Sequence, residues 1–311
     1  DGRPASEWNS LDKAFLNISR GVKTTLAVAR GIAEQMGESG ARDAPPDTPP
    51  NGEAPAAEQE KRRLLARASK LIDETNRGAK APDTARRLHD TGSALLAVDE
   101  LHTAGHTLKL AHFLRSELFG PDHPDTAESC NELGCVLEKQ GNSQAAAEYF
   151  RRALAIFEKT YPEGHAHTAA CHSNLANSLF PSGDFETAAA HLRKAVEINE
   201  ALHGPDHPAI AGDVNNLGIT LAGTGNLEEA RNCFMRAVGI DEQIYGPKHP
   251  NVATRLNNAA MVLKSLGDLE WAREYLERAV AVNEHALGPD HPEVGGNYNN
   301  LGSVFQEAGK Y

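Results

Sequence analysis

The chain has 311 residues, 31 of them basic and 43 acidic, for a formal net charge of −12. Aromatic residues make up only 5%, and alanine dominates the apolar share, which suits close helix packing better than sheets. The charge is uneven: residues 1–120 carry 17 basic and 17 acidic side chains, residues 121–311 carry 14 and 26. An acidic surface repels phosphate backbones, so the second part excludes nucleic acid and favours basic protein partners.

Residues 1–37 read as a separate amphipathic helix. Trp8, Leu11, Phe15, Ile18 and Val22 recur at spacings of three and four, and Thr25, Ala29, Ile32 and Met36 continue the register. That is a heptad stripe. Lys13, Arg20, Lys23 and Arg30 accompany it. Three readings stand: the stripe docks on a partner protein or on the rest of this chain, forms a short coiled coil, or lies on an anionic membrane surface. The first is favoured, because Gly21, Gly31 and Gly37 weaken an isolated helix. Residues 38–57, with Pro45-Pro46 and Pro49-Pro50, read as a flexible linker. Within 58–78 a capping helix is expected, running from about Ala57 to Asn76 and packing through Leu64, Leu65, Ala68, Leu71 and Ile72.

From residue 79 to 311 the chain repeats. His123, His165, His207, His249 and His291 stand 42 residues apart. They sit in Gly120-Pro121-Asp122-His123-Pro124 and its copies, drifting to Pro162-Glu163-Gly164-His165-Ala166 in one of them. A second ladder, Gly141, Gly183, Gly225, Gly267 and Gly309, has the same period. Each unit predicts two helices. In the copy from 205 to 246, Asp206 or His207 caps the first helix and Pro208 occupies its first turn. Ile210, Val214, Leu217 and Leu221 form its apolar face. Gly225 ends it and Asn226 caps the second, whose buried side reads Leu227, Ala230, Phe234, Ala237 and Ile244. An upstream copy begins at Pro82-Asp83-Thr84-Ala85, with Asp99 in place of the turn glycine. The stop at Tyr311, where a second helix should begin, predicts further chain.

These junctions, with the Asn215-Asn216-Leu217-Gly218 runs and the Glu229-Ala230…Arg236-Ala237 spacing, resemble tetratricopeptide repeats of the 42-residue type found in kinesin light chains. The resemblance covers about 79–311. It implies an all-α, right-handed superhelical solenoid of antiparallel helix pairs, first helices lining the concave face. In kinesin light chains that face takes extended peptides. Here the groove asparagines would be Asn131, Asn215, Asn257 and Asn299, with Asn174, Asn216, Asn258 and Asn300 beside them. Ser173 and Glu132 interrupt the two rows, and Asn177 lies one turn on. An amide side chain offers donors and acceptor together, so a row of them reads peptide backbone. The competing role for one residue of each pair is to bond neighbouring helices. The first-named row is expected to face the groove. The first helices carry few bases (Lys139, Arg255, Lys264), which argues against a carboxylate clamp.

No cofactor or catalytic set is indicated. The histidine ladder cannot chelate one ion, since stacked repeats hold equivalent residues ~8–10 Å apart or more. His165, His167 and His172 form its one local cluster. Cys130, Cys135, Cys171 and Cys233 contain no Cys-x-x-Cys pair and predict small packing residues in a reducing compartment, cytoplasmic or inside an organelle. No apolar run approaches the ~20 residues of a membrane span. The expected function is a non-catalytic scaffold or adaptor that binds protein partners. The alternatives are a permanent subunit of a large complex and the regulatory region of a larger enzyme.

Overall fold

The computed structural model describes residues 56–309. The proposed docking residues Trp8, Leu11, Phe15, Ile18 and Val22 and residues 38–55 of the linker lie outside them, while Ala56 and Ala57, expected in the linker, belong to the first described helix. Within them the chain forms α1 (Ala56–Asn76), α2 (Pro82–Ala97), α3 (Leu101–Phe119), α4 (Pro124–Lys139), α5 (Ser143–Thr160) and α6 (Ala166–Leu179). After a 3₁₀ turn at Phe180–Ser182 come α7 (Phe185–His203), α8 (Pro208–Gly223), α9 (Leu227–Tyr245), α10 (Pro250–Ser265), α11 (Leu269–Leu287) and α12 (Pro292–Glu307). There is no strand among the described residues. Helices α2 and α3 form the first repeat, α4 and α5 the second, and so on to α12, the first helix of a sixth. Each second helix packs on its own first helix and on that of the next repeat, and successive first helices also touch. The result is two layers of helices with one core running between them. Leu64, Ala68, Leu71 and Ile72 of α1 seal the first repeat against Leu95, Leu108, Leu88 and Leu114, while Leu65 stays half-buried.

The turn chemistry explains where helices stop. Helix α8 ends at Gly223, with Thr224 as its C-cap, and Gly225 two residues on takes φ +80°. In the first repeat the same place is held by Asp99, the only described non-glycine residue with positive φ, at 57°. A short polar side chain tolerates that conformation better than most. The five junction histidines cap the first helices. Each Nδ1 accepts the backbone N–H two residues on: Asp125 at 3.1 Å, His167 at 3.2 Å, Ala209 at 3.3 Å, Asn251 at 3.2 Å and Glu293 at 3.3 Å. Four of the rings also lie against the ring four residues earlier, Phe119, Tyr161, His203 or Tyr245, with centroids 4.3–4.9 Å apart. Asn226 stands at the start of α9, but its amide bonds the Glu229 carboxylate at 2.8 Å rather than the helix backbone.

One expected core residue is not buried: Ile244 is 37% exposed. Ten residues past Phe234 it lies about 80° around the helix. The buried stripe continues instead through Val238 and Asp241. Asp241 is buried because it meets Arg255 of α10 at 3.1 Å. The same joint carries other polar pairs elsewhere: Arg115 with Ser129 at 3.1 Å, Asn199 with Asp213 at 2.9 Å, and Asn283 with Asn297 at 3.0 Å. At the joint between the second and third repeats the equivalent positions are Phe157 and Cys171. A shifted repeat would leave such groups mismatched in the core, so these pairs fix the order of the units.

Candidate protein-interaction face

The first helices bury the sides that meet the second-helix layer and leave one stripe open. On α6 the stripe runs through His167, Ala170, Asn174 and Asn177; on α8 through Ala209, Gly212, Asn216, Ile219 and Gly223; on α10 through Asn251, Thr254, Asn258, Met261 and Ser265. The row on this stripe is therefore Asn174, Asn216, Asn258 and Asn300. In the row expected there, Asn131, Asn215 and Asn257 accept hydrogen bonds from the next repeat. Of these only Asn215 is buried, at 4% exposed, Asn131 and Asn257 being half-buried as Asn174, Asn216, Asn258 and Asn300 are. Only Asn299, in the last described helix, is exposed. Adjacent helical residues point about 100° apart, and the packing of the next repeat decides which of the two stays open.

The rows are joined by hydrogen bonds. The Asn174 amide donates to Asn131 Oδ1 at 3.0 Å, Asn258 to Asn215 at 3.0 Å, and Asn300 to Asn257 at 2.8 Å. Where Ser173 breaks the first row, Asn177 one turn on accepts from Asn216 at 3.2 Å. Ser173 itself donates to Asp213 at 2.6 Å. This ladder uses one N–H of each open-row asparagine. Asn174 gives its second N–H to Cys135 Sγ at 3.6 Å, whereas Asn258 and Asn300 keep one, and the Oδ1 atoms of Asn174, Asn258 and Asn300 have no partner among the described residues. The open row thus both ties the repeats together and presents amide groups at fixed spacing.

Charge divides along the face. The stripe of α2 and α4 carries Asp83, Asp90, Asp125, Glu128 and Glu132, whereas that of α6, α8 and α10 carries no carboxylate, lysine or arginine. The bases of the first helices are already held. Lys139 meets Asp99 at 2.5 Å, Lys264 meets Glu307 at 3.4 Å, and Arg86 meets Asp83 at 2.7 Å. With Arg255 on Asp241, none of these four is left over to clamp a terminal carboxylate.

The cysteines and inner histidines are sequestered. Cys130 and Cys171 are fully buried, and burial pushes the thiols of Cys130 to about 11 and Cys135 to about 12, with Cys171 higher still. A thiol so poorly ionised is a weak nucleophile and a poor metal ligand. Among the described residues no group of three or more His, Cys, Asp or Glu side chains could hold a metal ion. His172 contacts His191 through Nδ1 at 2.9 Å, and burial lowers its pKa to about 4.

On the second-helix layer, Trp271 is 52% exposed beside Tyr275, whose hydroxyl reaches Met235 Sδ at 3.0 Å. Sequence reading missed this patch. Its signal was the register: the positions 42 and 84 residues earlier hold Glu229 and Thr187.

Tetratricopeptide repeat family models match residues 92–159, 210–284 and 256–311, and a further one matches 168–209. The chain belongs to the tetratricopeptide-repeat family. No curated protein matches it at a significant level. Among solved structures, BtubC (BKLC) from P. vanneervenii aligns with a TM-score of 0.64 at 20% identity, over 77% of this chain and 95% of that one. The nearly identical tetratricopeptide-like repeats assigned to a kinesin light chain of Podosopora anserina align at 0.58 and 21% identity, over 67% and 98%. The apo form of RapI aligns at 0.57 and 22% identity, over 65% and 71%. At these identities the likeness is one of fold. The tetratricopeptide array shares the helix-pair solenoid fold of these structures.

Proposed function

We propose that the open face of the first helices holds an extended protein segment by its backbone. The observation that carries this reading is the row Asn174, Asn216, Asn258 and Asn300, which repeats one amide per unit on the open stripe with hydrogen-bonding capacity to spare. Peptide N–H and C=O groups match an amide side chain as donor and acceptor alike, so such a row grips main chain while demanding little of side chains. Ile219 and Met261, on the same stripe, supply apolar contacts between the amides. The work of such a protein is to hold partners rather than to transform them.

Replacing Asn174 and Asn258 together by Ala removes two amides and three inter-repeat bonds, one of them to Cys135 Sγ. The expected result is at least tenfold weaker retention of partners that co-purify with the tagged full chain. The circular dichroism spectrum should be unchanged and the thermal midpoint lowered by a few degrees, since each bond contributes about 0.5–1.5 kcal/mol. Trp271→Ala, on the other layer, should leave retention as it was. Equal retention by the asparagine variant, or loss with Trp271→Ala alone, would move binding to the other layer.

A further inference from the structure

At the end of the face where the acids gather there is a cleft of about 560 Å3 between α2 and α4, floored by the end of α3. Its lining carries four carboxylates, Asp83, Asp90, Asp125 and Glu128, against the guanidiniums of Arg86 and Arg115. Both guanidiniums are spent. Arg115 is 4% exposed and donates to the Asp125 carbonyl at 2.6 Å, Ser129 Oγ at 3.1 Å and Glu128 at 3.3 Å. Arg86 is held on Asp83. His89 adds no charge, because burial lowers its pKa to about 3. Among the described residues Asp90 and Asp125 have no lysine or arginine partner, Asp125 lying 3.7 Å from His123 Nδ1, and the cleft is net negative. Its remaining wall is Phe119, 37% exposed, whose ring has His123 against one side and can meet a guanidinium or ammonium only with the rest.

We infer that this cleft seats an arginine or lysine side chain, and that the segment bound on the open face is basic over the first two repeats and uncharged over the third to fifth. The inference rests on the open face being the binding surface and names the chemistry of what it takes. Two features argue it. The stripe of α6, α8 and α10 has no lysine, arginine or carboxylate to pair with, so a charge on the ligand there would be desolvated without compensation. Over α2 and α4 the opposite holds, and a cation meets the carboxylates of Asp90 and Asp125. An extended chain rises ~3.3 Å per residue and neighbouring helices stand ~8–10 Å apart, so about three ligand residues span each repeat.

The test uses the full chain and three peptides of about 15 residues, labelled at the far end. They share an uncharged body of Ser, Asn, Ala and Leu and begin with two arginines, two glutamines or two aspartates. Fluorescence anisotropy should show the arginine peptide binding at least about tenfold tighter than the glutamine one, with the aspartate peptide weakest and the advantage shrinking as salt is raised. In Asp90→Asn/Asp125→Asn the arginine advantage should fall to about threefold or less, whereas Glu274→Gln on the other layer should not alter it. Equal binding of all three peptides, or an advantage that survives the double variant, overturns the inference and leaves the open-face reading intact. Failure of every peptide to bind overturns both.

Discussion

Replacing Gly134 by Ala is expected to destabilise the array by about 1–3 kcal/mol, although alanine is the better helix former. A Cβ at this position would stand 2.5 Å from Phe150 Cε1 and 2.7 Å from Cδ1, inside a ring that is 1% exposed. The ring has no free end to swing away, so the helices must separate. Gly218 meets Phe234 in the same way, with atoms at 2.8 and 2.9 Å. The third and fifth repeats solve the packing differently, setting Ala176 with Leu192 and Ala260 with Leu276 in their clusters. In the first repeat the equivalent Gly92 lies as close to Leu108, whose Cγ would stand 2.5 Å from an added Cβ. Phe150→Leu alone should lose about 1–2 kcal/mol through the space it leaves. The double variant Gly134→Ala/Phe150→Leu rebuilds the alanine–leucine solution and should lose at least about 1 kcal/mol less than the two singles together. Gly239→Ala is the control: nothing lies within 4 Å of its Cβ, and it should stabilise by up to about 1 kcal/mol. Urea midpoints of the four variants decide the matter. An additive double, or equal effects at Gly134 and Gly239, would show that close approach is not what the glycine permits.

Acid is expected to unfold the array before the carboxylates have finished titrating. Burial lowers the pKa of His89 to about 3 and of His112 and His172 to about 4, and lowers His106 and His191 in the same direction. All lie below the free imidazole value, so the unfolded chain takes protons first. The stability tied to these groups is complete above about pH 6.5 and is lost as pH falls toward 4. His89, His112 and His172 each contribute on the order of 1–3 kcal/mol to that loss. Asp213 and Glu132 oppose it: burial raises both carboxyls, so the folded form takes their protons first and gains relative stability in acid. With three imidazoles strongly lowered, the net effect between about pH 6.5 and 4 is a loss of stability. Thermal midpoints should therefore fall steeply over that interval. In His112→Gln, which keeps a polar side chain beside Cys130 and cannot charge, the fall should be shallower by a few degrees. Midpoints flat from pH 7.5 to 4.5, or a variant slope equal to the parent's, would contradict this.

The repeat was legible because its turns impose residue types that no packing partner can replace. A left-handed turn calls for glycine, a first helical turn accepts proline, and the histidine between them supplies a cap. Even Asp99 could be placed by counting 42 residues. What depended on neighbours was not legible. Asn215 and Asn216 are equivalent to a reader of one helix, and only the adjoining repeat shows that the first is covered and the second open. Ile244 lost its expected burial to Asp241 because a polar partner, Arg255, waits fourteen residues on. The cleft at Asp90 and Asp125 is likewise assembled from three helices of two repeats, and its charge balance follows from which carboxylates Arg86 and Arg115 consume.

The binding face can be tested most directly by placing a photo-crosslinking amino acid at position 219, on the open stripe of α8, and separately at position 271, on the other layer. Irradiation of the full-length chain with its co-purifying partners is predicted to give adducts from position 219 and few or none from 271. The attached partner peptides should carry arginine or lysine toward the end that lies over α2 and α4. Adducts from 271 with none from 219 would contradict the account and make the tryptophan-bearing layer the binding surface.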